Sequence, residues 1–458
     1  MTQWERLLST AVVGTGRRNV PADVLGGLAE VDADGPEETV LAAAAVLGAY
    51  RRAGWTPSRW REPLPEPSGV DERPVCSDAA AQVLELLLSR DIRVDGGNEL
   101  LVAHWLRTCA GADRRPPAHL LVELLRLATT TTALREDVRT VTGPRGAWLA
   151  RHNPRWAWAA PVDTADAAAR FATGTRTERL SILIAVRRAD PAAGRRLVED
   201  TWDTEQAATR AGLVDALAVG LSDADEPFLE SSLDDRAATV RAAAAALLDR
   251  LPHSRRAARM AERVRDLTPP DELDAAARRD GISDQREHGH GRRESWLIQL
   301  LGAAPLGDVP TDLASAGSAL LVGWTRAALR QRNEDWLAAL ARVRPTPELL
   351  GALPPEKATA IVAVESTVDA RFAGLLAACP GPWPAKFSRD VVGRLRKART
   401  EGALTLAFGA LAEHLHHSAL PAVEDWIEAT PIDKRARRRT LRGLAHALTI
   451  RSTIEQEF

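Results

Sequence analysis

The sequence predicts an all-α protein, a HEAT-like α-solenoid of stacked antiparallel helix pairs without significant β-sheet, on three observations. Apolar residues recur at helical spacings of three and four along most of the 458 residues. Alternating strand patterns are absent. A central stretch also repeats itself at a step of 31 residues, with two helices in each unit.

Residues 1–160 read as an N-terminal helical domain, with helices expected over 3–13, 37–53, 78–90, 98–110 and 117–128. Between the second and third lies TPSRWREPLPEPSGVDERP, residues 56–74, whose prolines exclude a helix interior and predict a long surface loop. The opening MTQWERLLSTAVVGTGRR carries charges within its apolar stretch and has no basic segment ahead of an apolar one, so it does not read as a signal peptide. No run approaches the ~18 apolar residues of a membrane span. A cytoplasmic location is expected.

Residues 161–268 hold the repeat. In DDRAATVRAAAAALLDRLP, residues 234–252, Val240, Ala244, Leu247, Leu248 and Leu251 share one helical face, and Ala242, Ala245 and Ala246 widen it into a small-residue surface that a neighbouring helix can approach closely. Asp234 and Asp235 are turn and N-cap candidates and Pro252 ends the helix. Stepping by 31, Arg241 matches Arg210 and Arg179, Leu248 matches Leu217 and Val186, and Ala245 matches Val214 and Leu183. In the preceding helix Leu229 matches Val198, while Leu233 matches Trp202 and then Phe171. The string from Leu233 to Leu248 resembles the HEAT repeat, and the resemblance covers roughly residues 165–265.

Residues 269–312 are charged and punctuated and read as a connector with a short helix; residues 313–458 read as a C-terminal helical-repeat domain. Its helices are expected over 313–331, 334–342, 355–363, 367–378, 388–399, 402–415, 419–428 and 434–450.

Composition narrows the function. The 60 Lys and Arg residues nearly balance the 62 Asp and Glu, leaving a formal charge of −2 and no bulk attraction for nucleic acid or anionic membrane. Cys76, Cys109 and Cys379 stand far apart without a CxxC pair, as in a reduced protein without a disulfide framework.

No catalytic constellation emerges. GTGRR at residues 14–18 follows a helix and lacks the GxxxxGK[ST] pattern, so it reads as a glycine C-cap before a basic turn. His288 and His290 form the most ligand-like cluster, near Glu287 and Glu294, but their spacing is not that of a helical metal site and no metal or cofactor is expected. His414, His416 and His417 close a helix, where imidazolium suits the dipole. Nothing resembles G-x-S-x-G, and no Cys sits in a nucleophile's context.

Three arginine-rich clusters stand out: Arg255, Arg256, Arg259 and Arg263; Arg389, Arg394, Arg396, Lys397 and Arg399; and the run from Lys434 to Arg442. In the last, Arg435, Arg438, Arg439 and Arg442 share a face opposite Leu441, Leu444 and Leu448. Each cluster reads as a solvated or partner-facing surface ahead of a phosphate contact. Of 13 tryptophans, Trp148, Trp156 and Trp158 lie in WLARHNPRWAW, and Trp55 and Trp60 in the proline-rich loop; they either plug gaps between helices or anchor a partner.

Three stretches, WERLLSTAVVGTGRR, GPRGAWLARHNPRWAW and RRESWLIQLLGAAPL, together resemble an uncharacterised bacterial family known as a domain of unknown function. That resemblance implies genomic company: a MoxR-type AAA+ ATPase, a von Willebrand factor A domain protein and a SWIM zinc-finger protein. It implies no catalytic motif. The resulting expectation is a non-enzymatic scaffold or adaptor for protein–protein interaction, with the ATPase and von Willebrand factor A protein as partners. The alternative is a nucleic-acid-binding HEAT-like protein, with or without DNA-base processing.

Overall fold

Thr2 and Glu5 begin the first helix reciprocally: the Glu5 amide donates to Thr2 Oγ1 at 3.2 Å and the Thr2 amide to the Glu5 carboxylate at 2.8 Å. This capping box opens α1 (Gln3–Val13), which Gly14 closes at φ +91°. In α2 (Pro36–Ala53) Pro36 stands in the first turn, with Glu37 and Glu38 beside it and Arg51 and Arg52 in the last turn, each charge complementing the helix dipole. These details come from a computed structural model, which describes residues 2–21, 23–54, 65–89, 98–161, 166–398 and 402–458. Trp55 and Trp60 lie outside the described residues, as does Arg399.

The chain forms two compact units, Met1–Pro67 and Ser68–Phe458. The first holds α1 and α2 around a small core of Leu7, Val24, Leu25, Val40, Ala43 and Leu47.

The second unit begins with α3 (Asp78–Leu88), α4 (Asn98–Gly111), α5 (Leu121–Thr130) and α6 (Arg135–His152). Its middle runs through α7 (Ala167–Thr173), α8 (Arg176–Ala189), α9 (Pro191–Thr201), α10 (Ala207–Ala216), α11 (Glu226–Ser232), α12 (Ala238–Leu248) and α13 (Arg255–Arg263). There follow α14 (Ala275–Arg279), α15 (Arg292–Ala303), α16 (Ser318–Gln331), α17 (Glu334–Val343), α18 (Pro347–Gly351) and α19 (Pro355–Ala363). The unit ends with α20 (Ala370–Ala378), α21 (Ala385–Lys397), α22 (Gly402–His414), α23 (Leu420–Ala429) and α24 (Arg435–Glu457). The fold is all-α: among the described residues there is no strand, only an isolated bridge between Val75 and Arg115. Nor is any described helix long and apolar enough to cross a membrane.

In the middle, helices pack on their sequence neighbours, α8 on α9 and α10, and α12 on α10 and α11. Their core contains Phe171, Leu183, Val198, Val214, Leu217, Leu229, Leu233 and Leu248. Contacts recur at a step of 31: the Arg179 guanidinium lies over the Phe171 ring at 4.6 Å and Arg210 over Trp202 at 5.6 Å.

Residues 269–312 are anchored by their apolar side chains. Leu273, Ala277, Ile282, Trp296, Leu297 and Leu300 are buried in a core that also takes in α3–α6 and the helices to α24. Helix α24 packs on α22 and α23 and also on α3 and α4, near the start of the same unit. Ser77 Oγ donates to Glu457 at 2.7 Å across 380 positions, and Trp105 meets Phe458 edge-to-face at 5.3 Å. The Trp105 indole also donates to the Ala80 carbonyl at 2.9 Å, so the buried ring leaves no polar atom unpaired.

Candidate functional site

Most arginines of the middle region are committed to the structure. Arg187, fully buried, uses all five donors: two to Asp225 at 2.9 Å and one each to the carbonyls of Val219, Pro191 and Leu217 at 2.7–2.8 Å. Burial pushes the Asp225 carboxyl up, but bonds from Arg187, Ser222 and Arg195 outweigh it and hold the group below its ordinary value. Arg210 pairs bidentately with Asp235 at 2.8 and 3.0 Å, and Arg179 reaches Glu205 at 2.6 Å. The cluster on α13 is spent in the same way: Arg255 on Glu226, Arg256 on Asp249, Arg259 on Glu230 and Asp280, and Arg263 on Asp274.

A different arrangement lies beside α12. Its small-residue surface does not receive another helix. Ala238, Ala242 and Ala246 face outward, one turn apart, and with Ala245 form one wall of a recess of about 420 Å³. The loop Gly281–Glu287 also lines it, and α15 and α16 contribute Gln299, Arg326 and Arg330. Small side chains serve two purposes here. A Cβ on Gly281, at φ +89°, would come within 2.8 Å of the Ala245 methyl, so Gly281 and Ala245 together let the loop approach the helix. Above that contact the alanines leave space.

Arg241, Arg256, Arg278, Arg326 and Arg330 line the recess, against the carboxylates Asp249 and Glu287. Buried Asp249 binds both Arg256 and Arg330. Glu287 pairs with Arg326 at 3.0 Å. Arg278 reaches Asp284 at 2.7 Å, but Arg292 shares that carboxylate at 2.9 Å. Arg241 donates only to the backbone carbonyls of Asp235 and Arg236, at 2.7 and 3.0 Å, and has no carboxylate partner among the described residues. Desolvation outweighs Asp249 at Arg330 and draws its pKa below the ordinary guanidinium value. The loop is held by Gln299, which accepts from the Ser283 amide at 2.9 Å and donates to the carbonyls of Ser283 and Gln285.

A second cationic surface lies on α24. Arg435, Arg439 and Arg442 are exposed and have no ion-pair partner among the described residues, while Leu441, Leu444 and Leu448 are buried. Arg438 instead turns inward and donates to the Thr430 carbonyl at 2.6 Å, so it does not join the row.

The remaining candidates do not converge. His290 lies 3.4 Å from Glu294 on its own turn of chain and His288 is exposed; among the described residues no group of three or more His, Cys, Asp or Glu is arranged to hold a metal. Trp156 and Trp158 are half-buried against the main core, and the Trp158 indole donates to Thr129 at 3.4 Å beneath Arg135. Half-buried Trp148 meets His152 edge-to-face at 4.7 Å. Cys109 and Cys379 are buried, and burial pushes both thiols up to about 12.

Residues 6–458 match the model of the Family of unknown function (DUF5691). The chain belongs to this family. No curated protein and no solved structure matches it. The sequence singles out Ala242, Ala245 and Ala246 as a helix-packing surface and Arg256 as part of a surface cluster, but does not bring them together as a recess. Its one local signal is the row Ala238, Ala242 and Ala246, small residues spaced to share a face beside Arg241.

Proposed function

We propose that this chain is a non-enzymatic helical scaffold that holds an acidic surface of a protein partner against α24. The observation that carries the reading is the row Arg435, Arg439 and Arg442, exposed near the start of a helix with no acidic residue in its first turn. A cation near a helix N-terminus is unfavourable by roughly 0.3–1 kcal/mol, and an acidic partner reverses that cost. The other face of α24 is packed on four helices, so the row is presented without any ordering of the chain on binding.

The partner that fits the family resemblance is an assembly of a MoxR-type AAA+ ATPase and a von Willebrand factor A domain protein, in the cytoplasm. The test is affinity purification from the native host under mild crosslinking, with and without nuclease, comparing the wild type with an Arg435→Glu/Arg439→Glu/Arg442→Glu variant. The scaffold reading predicts that both proteins are recovered regardless of nuclease and lost in the variant. Companions that vanish with nuclease would instead assign the arginine row to nucleic-acid phosphates.

A further inference from the structure

The recess beside α12 is chemically unlike the rest of the second unit. Elsewhere in the unit the buried guanidiniums of Arg187 and Arg210 each meet a carboxylate. Here five arginines line the space with two carboxylates, Asp249 is shared between Arg256 and Arg330, and Arg278 shares its partner Asp284, outside the lining, with Arg292. Arg241 meets no carboxylate among the described residues. An excess of guanidinium in a partly enclosed space is a standing attraction for an anion, stronger than at an open surface because water screens it less.

Shape narrows the class. At about 420 Å³ the recess exceeds a lone oxyanion and falls within the usual range of small-molecule sites. Its alanine wall offers an apolar surface to an organic body, and its guanidiniums arrive from α12, α13, α14 and α16. Donors converging from several directions suit the tetrahedral oxygens of phosphate better than the single plane of a carboxylate. The site is also pre-organised: Gln299 fixes the loop, and Arg326 lies along Gly302, where a Cβ would come within 2.7 Å of its Cδ.

We infer that this recess binds a small organic phosphate, with Arg241, the lining guanidinium without a carboxylate partner among the described residues, on the phosphate, the paired Arg326 and Arg330 adding to its field, and Ala238, Ala242 and Ala246 against the organic body. The site is separate from the α24 row, so either assignment can fail without the other.

The experiment is calorimetric titration of the full chain with ADP, pyrophosphate and citrate at low ionic strength. ADP and pyrophosphate are expected to bind, and added salt to weaken both. Arg241→Gln is expected to weaken both by about tenfold, the loss of one charge-assisted contact. Ala242→Trp, which fills the recess without changing its charge, is expected to abolish ADP binding, and Arg435→Gln to leave both ligands unaffected. Far-UV circular dichroism and the urea midpoint report whether Ala242→Trp folds; if it does not, Arg241→Gln decides alone. The inference is overturned if neither phosphate titrates at millimolar concentration, if binding survives Arg241→Gln unchanged, or if citrate binds as tightly as pyrophosphate.

Discussion

Arg187 and Arg241 belong to neighbouring parts of one helical region, yet they sit in opposite circumstances. Arg187 is sealed from water with all five donors matched, on a carboxylate that is itself held by Arg195 and the Ser222 amide. Arg241 stands half-exposed at a recess where guanidiniums outnumber carboxylates. A matched arginine holds helices in register; an unmatched one keeps its field available for something outside the chain. The same contrast separates α13, whose arginines are consumed by Glu226, Glu230, Asp249, Asp274 and Asp280, from the exposed row on α24.

Breaking the matched side should give the largest effect. Asp225→Ala leaves Arg187 charged and buried without its carboxylate, so urea unfolding should show a loss of about 3–5 kcal/mol. The double variant Arg187→Met/Asp225→Leu should recover part of it, because desolvation of two ions is removed along with their attraction. Equal losses in the single and double variants would mean that packing around Gly194, which lies against the Arg187 side chain, matters more than charge.

Next comes acid. His104, on α4 and 3.4 Å from Glu455 of α24, is pushed down to about 4 by burial, reinforced by Arg451 and opposed by Glu455. Its folded pKa lies below the unfolded value of ~6.5, so the unfolded chain binds more protons between the two. Stability is therefore whole above pH ~6.5 and falls as pH drops toward 4, by roughly 2–3 kcal/mol. His104→Gln should flatten that part of the pH–stability curve. Asp225 acts at lower pH: its folded pKa is depressed, so its contribution is present above the unfolded value of ~3.9 and lost as pH falls through the folded one.

The smallest effect has the opposite sign. Arg435→Glu places an anion in the first turn of α24 and should stabilise the protein by roughly 0.3–1 kcal/mol in thermal unfolding, while weakening capture of an acidic partner. Such an exchange of stability against recognition would sharpen the division between the two sets of arginines. A destabilised Arg435→Glu would assign that residue to the matched set.

Much of the fold was legible in the sequence because it depends on short-range signals. The capping box at Thr2, Gly14 after α1 and the apolar face of α12 all act within a few residues. Helix α6 falls outside the helices read from the sequence; its backbone kinks at Gly143, φ +50°, ahead of Pro144, and helical turns continue to His152. The recess was illegible for a different reason. Arg241, Arg278 and Arg330 meet only through the packing of α12, α14 and α16, and sequence spacing carries no information about which charges that packing pairs. The arginines of α13 looked like a surface cluster for the same reason, their carboxylates lying up to 29 residues away.

The central claim, that matched arginines stabilise and unmatched ones bind, is tested most directly by urea unfolding of the wild type, Arg210→Gln and Arg241→Gln, each with and without millimolar pyrophosphate. The account predicts that Arg210→Gln loses roughly 3 kcal/mol yet keeps the stabilisation by pyrophosphate, whereas Arg241→Gln keeps its stability to within about 0.5 kcal/mol and loses the pyrophosphate increment. Equal loss of stability in the two variants, or a pyrophosphate increment that survives in Arg241→Gln, would contradict it.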